Sequence, residues 1–449
     1  MNADTLAARL ANSGIDAAEA ARKRPLLHEV ICGFEAFSNR SFEHAWWVPG
    51  RLEVFGKHTD YCGGHSLVAT LPRGFIVLAA PREHGIVRLL DVGRTESLDL
   101  AAGETSAAAA APLEIASGGW RRYARVIIRR LTRNFPGASL GSDIAFASDL
   151  PSAAGMSSSS ALVVGIVNAL VHIGNLRDRR EWGDNIRSAA DVAGYYACFE
   201  NGLSFGSLAG DAGVGTHGGS EDHVAIVCGE PREVSAWRFV PIRRVGAARL
   251  PRDSTFVVTS SGVAAQKTGP AMEQYNRLSR KATRLLDIWN ATEEPAGSLF
   301  EAVTSAPTAA ARLRTRLRQH AEAEPGLEAR LDQFLREDRR VLEALDAFRR
   351  RDSSLLGALS GASQHDAELL LRNQVPETVA LAKSAREHGA LASSSFGAGF
   401  GGSVWALVEA DDAADFPERW LGHYRTHFPE RTAATTFIAP PGPGLVRLV

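Results

Sequence analysis

The sequence has few cysteines, no excess of charge of either sign and no long apolar run. Its 449 residues include four cysteines, Cys32, Cys62, Cys198 and Cys228, and no two of them have CxxC spacing. We therefore expect neither a disulfide framework nor a zinc site, but reduced thiols in a cytoplasmic protein. Lys and Arg number 50 against 51 Asp and Glu, so no overall field attracts nucleic acid or an anionic membrane.

Segments for export or membrane insertion are also missing from the pattern. The N-terminus lacks a basic start followed by an apolar stretch, which predicts that there is no signal peptide. The longest apolar run, 160–174, is interrupted by Asn168 and His172 and is too short to span a bilayer. We therefore expect a soluble protein whose partners include neither nucleic acid nor a membrane.

Length and composition predict a globular chain of two or three domains. Residues 1–45 have the pattern of surface helices, and the alanine-rich run 107–111 is predicted to be a loop insertion. The Arg- and Pro-rich stretch 231–251 loses periodicity. We place a domain boundary between about 240 and 252, which predicts domains of residues 1–245 and 246–449.

The first of three glycine-rich segments has the sequence GRLEVFGKHTDYCGG and covers residues 50–64. A predicted strand carries Arg51 and ends at Gly56, and a polar turn closed by two glycines follows. The polar residues of this turn are Lys57, His58, Asp60 and Tyr61. Their donors and acceptors suit a polyol or an anion, and a solvated structural turn is an equally good interpretation.

The second segment, LPSAAGMSSSSA at residues 150–161, leads directly into the apolar run. Small residues before a helix leave backbone N–H groups free at the positive end of the helix dipole, which favours phosphate. The serine hydroxyls add donors and can reach a magnesium ion. One serine would suffice as a helix cap, so a merely over-capped buried helix is the weaker alternative.

The third segment, FGAGFGG at residues 396–402, satisfies the pattern GxGxxG. A dinucleotide-binding glycine loop follows a strand and opens a helix, whereas this one follows a predicted helix at 377–389 and precedes a predicted strand at 403–408. A GxxxxGK[ST] phosphate loop occurs nowhere in the sequence. We therefore predict a glycine hairpin that supports a phosphate site formed by another segment.

In this order the three segments resemble the motifs of the GHMP small-molecule kinases. The first is similar to the galactokinase signature GRxNLIGEHTDYxGG, the second to LPxGxGLSSSA and the third to GGGFGG. The resemblance implies an α+β fold with a ribosomal-S5-domain-2-like N-terminal domain and a ferredoxin-like C-terminal domain. The active site would lie between them, with ATP and Mg²⁺ as cofactors. A monomer or weak homodimer is expected.

The resemblance also implies catalytic and metal-binding roles. Asp222, in the stretch 218–223, would be the base that takes the proton of the acceptor hydroxyl, with Glu221 as the alternative. Arg51 would be the cation near the transferred phosphate and near that base. Ser159 and Glu200 would supply the hard oxygen ligands that magnesium prefers.

The resemblance implies two further groups of contacts. The ATP contacts would be Trp120, Gly155, Ser157, Ser158, Ser159 and Ser160, with an anchor in the core as the alternative for Trp120. The sugar contacts would be Lys57, His58, Asp60, Tyr61 and Tyr275.

Lys57 departs from the signature, which has Glu at this position. A buried ammonium must be paired, so Lys57 meets either a protein carboxylate or an anionic substrate. The leading prediction is ATP-dependent phosphorylation of a monosaccharide at its anomeric hydroxyl, and a 1-kinase for a uronic acid or another aldose is the alternative. Less favoured are a non-catalytic sugar and ATP sensor and a kinase for a non-sugar alcohol such as mevalonate or homoserine.

Overall fold

The computed structural model describes residues 1–101, 119–265, 270–318 and 324–449. Its strands are β1 (His44–Phe55), β2 (His65–Pro81), β3 (Ile86–Asp91), β4 (Glu96–Ala101), β5 (Ser142–Ser148), β6 (Glu233–Arg238), β7 (Arg243–Arg249), β8 (Ser254–Ser260), β9 (Ala392–Ser395), β10 (Ser403–Glu409), β11 (Thr435–Ile438) and β12 (Val446–Arg447).

The longer helices lie outside the two sheets. They are α1 (Ala3–Asn12), α2 (Ala17–Arg22), α3 (Arg24–Ser38), α4 (Trp120–Asn134), α5 (Ser158–Ile173), α6 (Arg180–Gly183), α7 (Ala189–Asn201), α8 (Glu221–Cys228), α9 (Pro270–Thr292), α10 (Leu299–Thr304), α11 (Ala309–Arg318), α12 (Leu327–Arg350), α13 (Ser353–Asp366), α14 (Pro376–Glu387) and α15 (Phe416–His427). Short helical turns cover Asp60–Cys62 and Leu176–Asp178, and a π-helical turn covers Ala367–Leu371.

The strands of the described residues form two sheets. The larger has the order β12-β1-β2-β5-β3-β4, and β6 and β7 extend it from β2. Its strands pair antiparallel except for β3 and β5, which are parallel. The smaller sheet has the order β11-β8-β10-β9. The chain changes sheets between Arg249 and Ser254, and β12 returns to the larger sheet beside β1. The division at residue 245 stays a prediction.

Both faces of the larger sheet are covered. Side chains alternate across a strand, so Trp46 and Val48 of β1 pack with α4 and α5 on one face. Trp47 points to the other face, into the cluster formed with Leu27 and Val30 of α3. Burial on both faces explains why β1 is apolar along most of its length.

The stretch 231–251, whose sequence lacks periodicity, is regular in the structure. It contains the antiparallel hairpin of β6 and β7, which pair from Glu233↔Arg249 to Arg238↔Arg243. β7 lies at a sheet edge with several exposed arginines, so it lacks the alternation of a buried strand. The predicted helices at the N-terminus are present, whereas the predicted loop at 107–111 lies outside the described residues. Within the described ranges, no helix has the length and apolar character needed to cross a membrane.

Candidate active site

The three glycine-rich segments meet at one place, where the two sheets approach each other. The backbone N–H of Arg51 in the first donates to the carbonyl of Met156 in the second, at 3.2 Å. The Ser403 hydroxyl, next to the third, donates to the carbonyl of Ala154 at 2.7 Å. A Cβ on Gly155 would lie 3.7 Å from the Cα of Gly402, so these two loops are in van der Waals contact.

A polar pocket opens at this meeting point. It is lined by residues of the first and third segments and of α7, α8 and α9, with the loop before α8: Arg51, Glu53, His58, Asp60, Glu200, Thr216, Gly218, Gly219, Glu221, Asp222, His223, Tyr275, Gly397 and Ala398. The structure therefore brings six of the predicted site residues together in one pocket: Asp222, Arg51, His58, Asp60, Tyr275 and Glu200.

Arg51 and Asp222 form a buried ion pair in the pocket wall. Arg51 Nε donates to Asp222 Oδ1 at 2.6 Å, and Arg51 Nη1 donates to the carbonyl of Gly155 at 3.3 Å. Burial alone would lower the pKa of Arg51, but the charges of Asp222, Glu221 and Glu53 raise it above its ordinary value. The guanidinium is therefore permanently charged and favours the ionised form of Asp222. Ser160 Oγ donates to Asp222 Oδ2 at 3.2 Å.

Glu221, the alternative base, differs from Asp222 in its surroundings. Its Oε2 accepts a hydrogen bond from Ser66 Oγ at 2.7 Å, and its Oε1 lies 3.3 Å from Arg51 Nε. Burial, and next the charge of Glu53, raise the pKa of Glu221 well above its ordinary value. The raised pKa favours the protonated carboxyl of Glu221, whereas the contact with Arg51 favours the carboxylate of Asp222, so the site favours Asp222 as the base.

The sugar-site residues suggested by the first segment divide into two groups. Asp60 and His58 line the pocket together with Tyr275 of α9, whose ring centroid lies 5.2 Å from that of His58. Tyr61 lies behind them, where its hydroxyl is 2.8 Å from His58 Nδ1. A Cβ on Gly219 would lie 2.3 Å from Asp60 Oδ2, so only glycine leaves room for this carboxylate.

Lys57 points away from the pocket. Its Nζ donates to Ser363 Oγ and to Ser394 Oγ, each at 2.9 Å. Ser363 Oγ donates in turn to Glu337 Oε1 at 2.8 Å, and the charges of Lys57 and Arg340 lower the pKa of Glu337 although its burial opposes them. This arrangement favours the internal pairing of Lys57 over contact with an anionic substrate.

Within the second segment, Ser157 is the N-cap residue of α5 and has a left-handed φ of 59°. No side chain caps this helix, and Ser157 Oγ is buried with no hydrogen-bond partner among the described residues. Ser158, Ser159 and Ser160 form the first turn. The free N–H groups of that turn can therefore bind a phosphate.

Trp120 and Glu200 have contrasting positions. Trp120 is a core residue, whose ring packs edge-on against Phe146 at 5.3 Å and whose Nε1 donates to Glu96 at 3.2 Å. Glu200, on α7, lines the pocket, and its Oε1 has no hydrogen-bond partner among the described residues. No group of three or more metal-ligating side chains occurs in the described ranges. A magnesium ion would therefore need ligands from its phosphate substrate beside Glu200.

Several pocket residues were not singled out by the sequence reasoning. They are Glu53, Thr216, Gly218, Gly219, His223, Gly397 and Ala398. A signal for Glu53 was present, because it follows Arg51 by two residues on β1 and therefore points to the same face. Gly218, Gly219 and His223 belong to the predicted stretch 218–223, and Gly397 and Ala398 belong to the third segment, so their surroundings carried a signal although no role was given to them. Thr216 lies in no predicted motif.

Known families match three parts of the chain. The galactokinase galactose-binding signature matches residues 33–81, the GHMP kinase N-terminal domain matches residues 122–230, and the GHMP kinase C-terminal description matches residues 344–426.

Curated relatives are similar over part of their length. A galactokinase of Glaesserella parasuis serovar 5 is 28% identical over 145 residues, which are 32% of this chain and 35% of that protein. A galactokinase of Streptomyces coelicolor is 34% identical over 128 residues, which are 28% of this chain and 31% of that protein. The aligned segments therefore span well under half of each relative.

Solved structures are similar over nearly the whole chain. The galactokinase of Lactococcus lactis, solved in complex with galactose, has a TM-score of 0.74 at 20% identity and covers 94% of this chain and 99% of its own. The mevalonate kinase of Methanococcus jannaschii has a TM-score of 0.53 at 13% identity and covers 89% and 98%. These matches confirm the predicted α+β fold of the two-domain GHMP type.

Proposed function

The chain belongs to the GHMP kinase family and is galactokinase-like, and from this membership we propose that it phosphorylates a monosaccharide at its anomeric hydroxyl with ATP. The observation that carries the proposal is the buried pair of Arg51 and Asp222 at the point where the three glycine-rich segments meet. Galactose is the proposed sugar, since the first segment matches the galactose-binding signature.

The proposed reaction needs one base and one cation. Asp222 accepts the proton of the anomeric hydroxyl while the sugar oxygen forms a bond to the γ-phosphorus of ATP. The bond from that phosphorus to the β-γ bridging oxygen breaks, and ADP leaves. Arg51 keeps Asp222 ionised and adds positive charge beside the transferred group. Charge neutralisation and positioning supply most of the catalysis in phosphoryl transfer.

The phosphates of ATP are proposed to lie at the start of α5. The free N–H groups of Ser158 and Ser159 and the hydroxyl of Ser157 are the donors available there. Glu200 and Ser159 would hold Mg²⁺, because both offer oxygen and Glu200 Oε1, 3.9 Å from His223 Nε2, has no hydrogen-bond partner among the described residues. The ion would supply neutralisation of the phosphate charge.

Two finer expectations also remain proposals. We propose a cytoplasmic location, which is supported by the four cysteines, all of them unpaired. We also propose a monomer or weak homodimer. Light scattering behind size exclusion would test this second proposal.

The test is release of ADP by the purified protein with ATP and magnesium. The sugars are galactose, arabinose, glucose, mannose, galacturonate and glucuronate. We expect turnover of galactose, and a decrease in kcat of about 10²- to 10⁴-fold in Asp222→Asn, because the base is lost. Asp178→Asn, at an exposed aspartate in the helical turn after the C-terminal end of α5, is the matched control and should retain full activity.

Other outcomes would contradict parts of the proposal. A larger decrease in Glu221→Gln than in Asp222→Asn would make Glu221 the base. Turnover of the uronic acids alone would replace galactose as the substrate. Absence of turnover on every sugar, with ATP still bound in calorimetry, would indicate a sensor of sugar and ATP.

A further inference from the structure

Glu53 is a buried carboxylate in the pocket that the proposed reaction leaves without a role. It is 3% exposed and lies on β1 two residues after Arg51. Its Oε2 lies 3.7 Å from Arg51 Nη2. Both side chains therefore reach the same pocket wall, on the face of β1 that points toward Asp222.

One oxygen of Glu53 lacks a permanent donor. Glu53 Oε1 is buried and accepts no hydrogen bond from a described amide, hydroxyl or cationic group, and the Glu53 side chain hydrogen-bonds only to the carboxyl of Glu221. Glu337, the neighbouring buried carboxylate, is fully satisfied: Gly56 N donates to its Oε1 at 3.0 Å and Arg340 Nη1 to its Oε2 at 3.1 Å. A buried acceptor without a donor of its own costs free energy. A ligand hydroxyl that donated to Glu53 Oε1 would offset this cost.

Neighbouring side chains meet this need only through a shared proton. Lys57 Nζ is directed to Ser363 and Ser394. The carboxyls of Glu221 and Glu53 hydrogen-bond to each other, which requires one proton between them. A ligand hydroxyl that entered the pocket would give Glu53 a donor of its own and leave that proton to Glu221.

The third glycine-rich segment holds Glu53 in place. A Cβ on Gly397 would lie 2.0 Å from Glu53 Oε2, so the carboxylate occupies the space that any side chain at 397 would fill. Gly397 and Ala398 line the same pocket as His58 and Asp60. Glu53 is therefore enclosed between β1 and the third segment, at the sugar side of the pocket.

We propose that Glu53 Oε1 accepts a hydrogen bond from one hydroxyl of the sugar and determines which sugar the site prefers. This inference rests on the proposed function. The substrate class that follows is a neutral aldose, because a sugar carboxylate would meet Glu53, Glu221 and Asp222 in one pocket. Lys57 then has no direct part in recognition.

The test measures kcat/KM of the wild type and of Glu53→Gln on galactose and on its 2-, 3-, 4- and 6-deoxy analogues. Glutamine keeps the shape of the side chain and removes the charge of the acceptor. We expect a loss of about 10- to 100-fold on galactose, the range for a hydrogen bond to a charged group. On the one analogue that lacks the partner hydroxyl, the loss should nearly vanish, because neither protein makes that bond. Glu418→Gln, at an exposed glutamate, is the matched control.

The outcomes separate this inference from the proposed function. An equal loss on every analogue would overturn it, since Glu53 would then act only through Arg51 and Glu221. An active wild type whose Glu53→Gln variant keeps full kcat/KM would overturn it as well. A wild type inactive on all sugars would remove the proposed function and this inference together. If Glu53→Gln does not fold, Glu53→Asp keeps the charge, withdraws the oxygens by one methylene group, and should show the same dependence on a single hydroxyl.

Discussion

Removal of the Lys57 ammonium should destabilise the protein without changing its choice of sugar. Lys57→Met keeps an unbranched side chain and deletes the charge. The hydroxyls of Ser363 and Ser394 then lose a charged donor, and Glu337 loses a positive charge that reaches it through the Ser363 hydroxyl. A hydrogen bond to a charged group contributes about 1.5–3 kcal/mol. Two such bonds are lost while Arg340 Nη1 remains 3.1 Å from Glu337 Oε2, so we expect a loss of about 3 kcal/mol.

The assay is the free energy of unfolding in urea for a double-mutant cycle. The variants are Lys57→Met, Glu337→Gln and the two combined. If Lys57 and Glu337 act as one buried unit, the double variant should be more stable than the sum of the single losses by about 1–3 kcal/mol. Lys383→Met is the matched control, because that lysine is 77% exposed and its ion pair with Glu387 contributes little.

The same variants also report on recognition. The ratio of kcat/KM for galactose to that for galacturonate should be the same in Lys57→Met and in the wild type. A variant that is as stable as the wild type but has a changed ratio would refute the reasoning, and would place the ammonium against the substrate instead of against Glu337.

Three further predictions concern the pocket and its surroundings. Gly397→Ala should abolish most activity by displacing Glu53, whose Oε2 would lie 2.0 Å from the new Cβ, whereas Gly422→Ala, with nothing within 4 Å, should be neutral in the ADP-release assay. Glu221 has a pKa raised well above 4.5 in the folded protein, chiefly by burial, so the stability that its protonated form contributes is lost as pH rises through that raised value. Glu221→Gln should therefore gain stability relative to the wild type as pH increases. The same change of the free energy of unfolding with pH in both proteins would contradict this. Burial raises the pKa of Cys62 to about 11, so iodoacetamide at pH 8 should modify the exposed Cys32 and leave Cys62 unmodified in peptide mapping by mass spectrometry.

Much of the site could be predicted from the sequence because its parts are local. The strand that carries Arg51, the turn after it and the serines at the start of α5 each have a pattern within about 15 residues. The hairpin at 231–251 could not be predicted, because a polar edge strand lacks the alternation that burial produces.

The position of Lys57 shows a different limit. The change from Glu to Lys relative to the signature is visible in the sequence. The hydroxyls that accept hydrogen bonds from its ammonium belong to Ser363 and Ser394, 306 and 337 residues later. Only the packing of α13 and β9 against the first segment decides between substrate and protein. Trp120 is similar, because a tryptophan at the start of an amphipathic helix can either contact the adenine of ATP or pack in the hydrophobic core. The contact that decides for the core is with Phe146, which lies on β5.

The overlap between Glu53 and the missing Cβ of Gly397 links two positions that are 344 residues apart in the chain. Each is tolerable only in view of the other, so substitutions at the two sites are epistatic. A larger residue at 397 fits only if the carboxylate at 53 moves or the side chain there is shortened first. Any change of sugar preference made through position 53 is therefore constrained in the order of its steps by a loop of the opposite sheet.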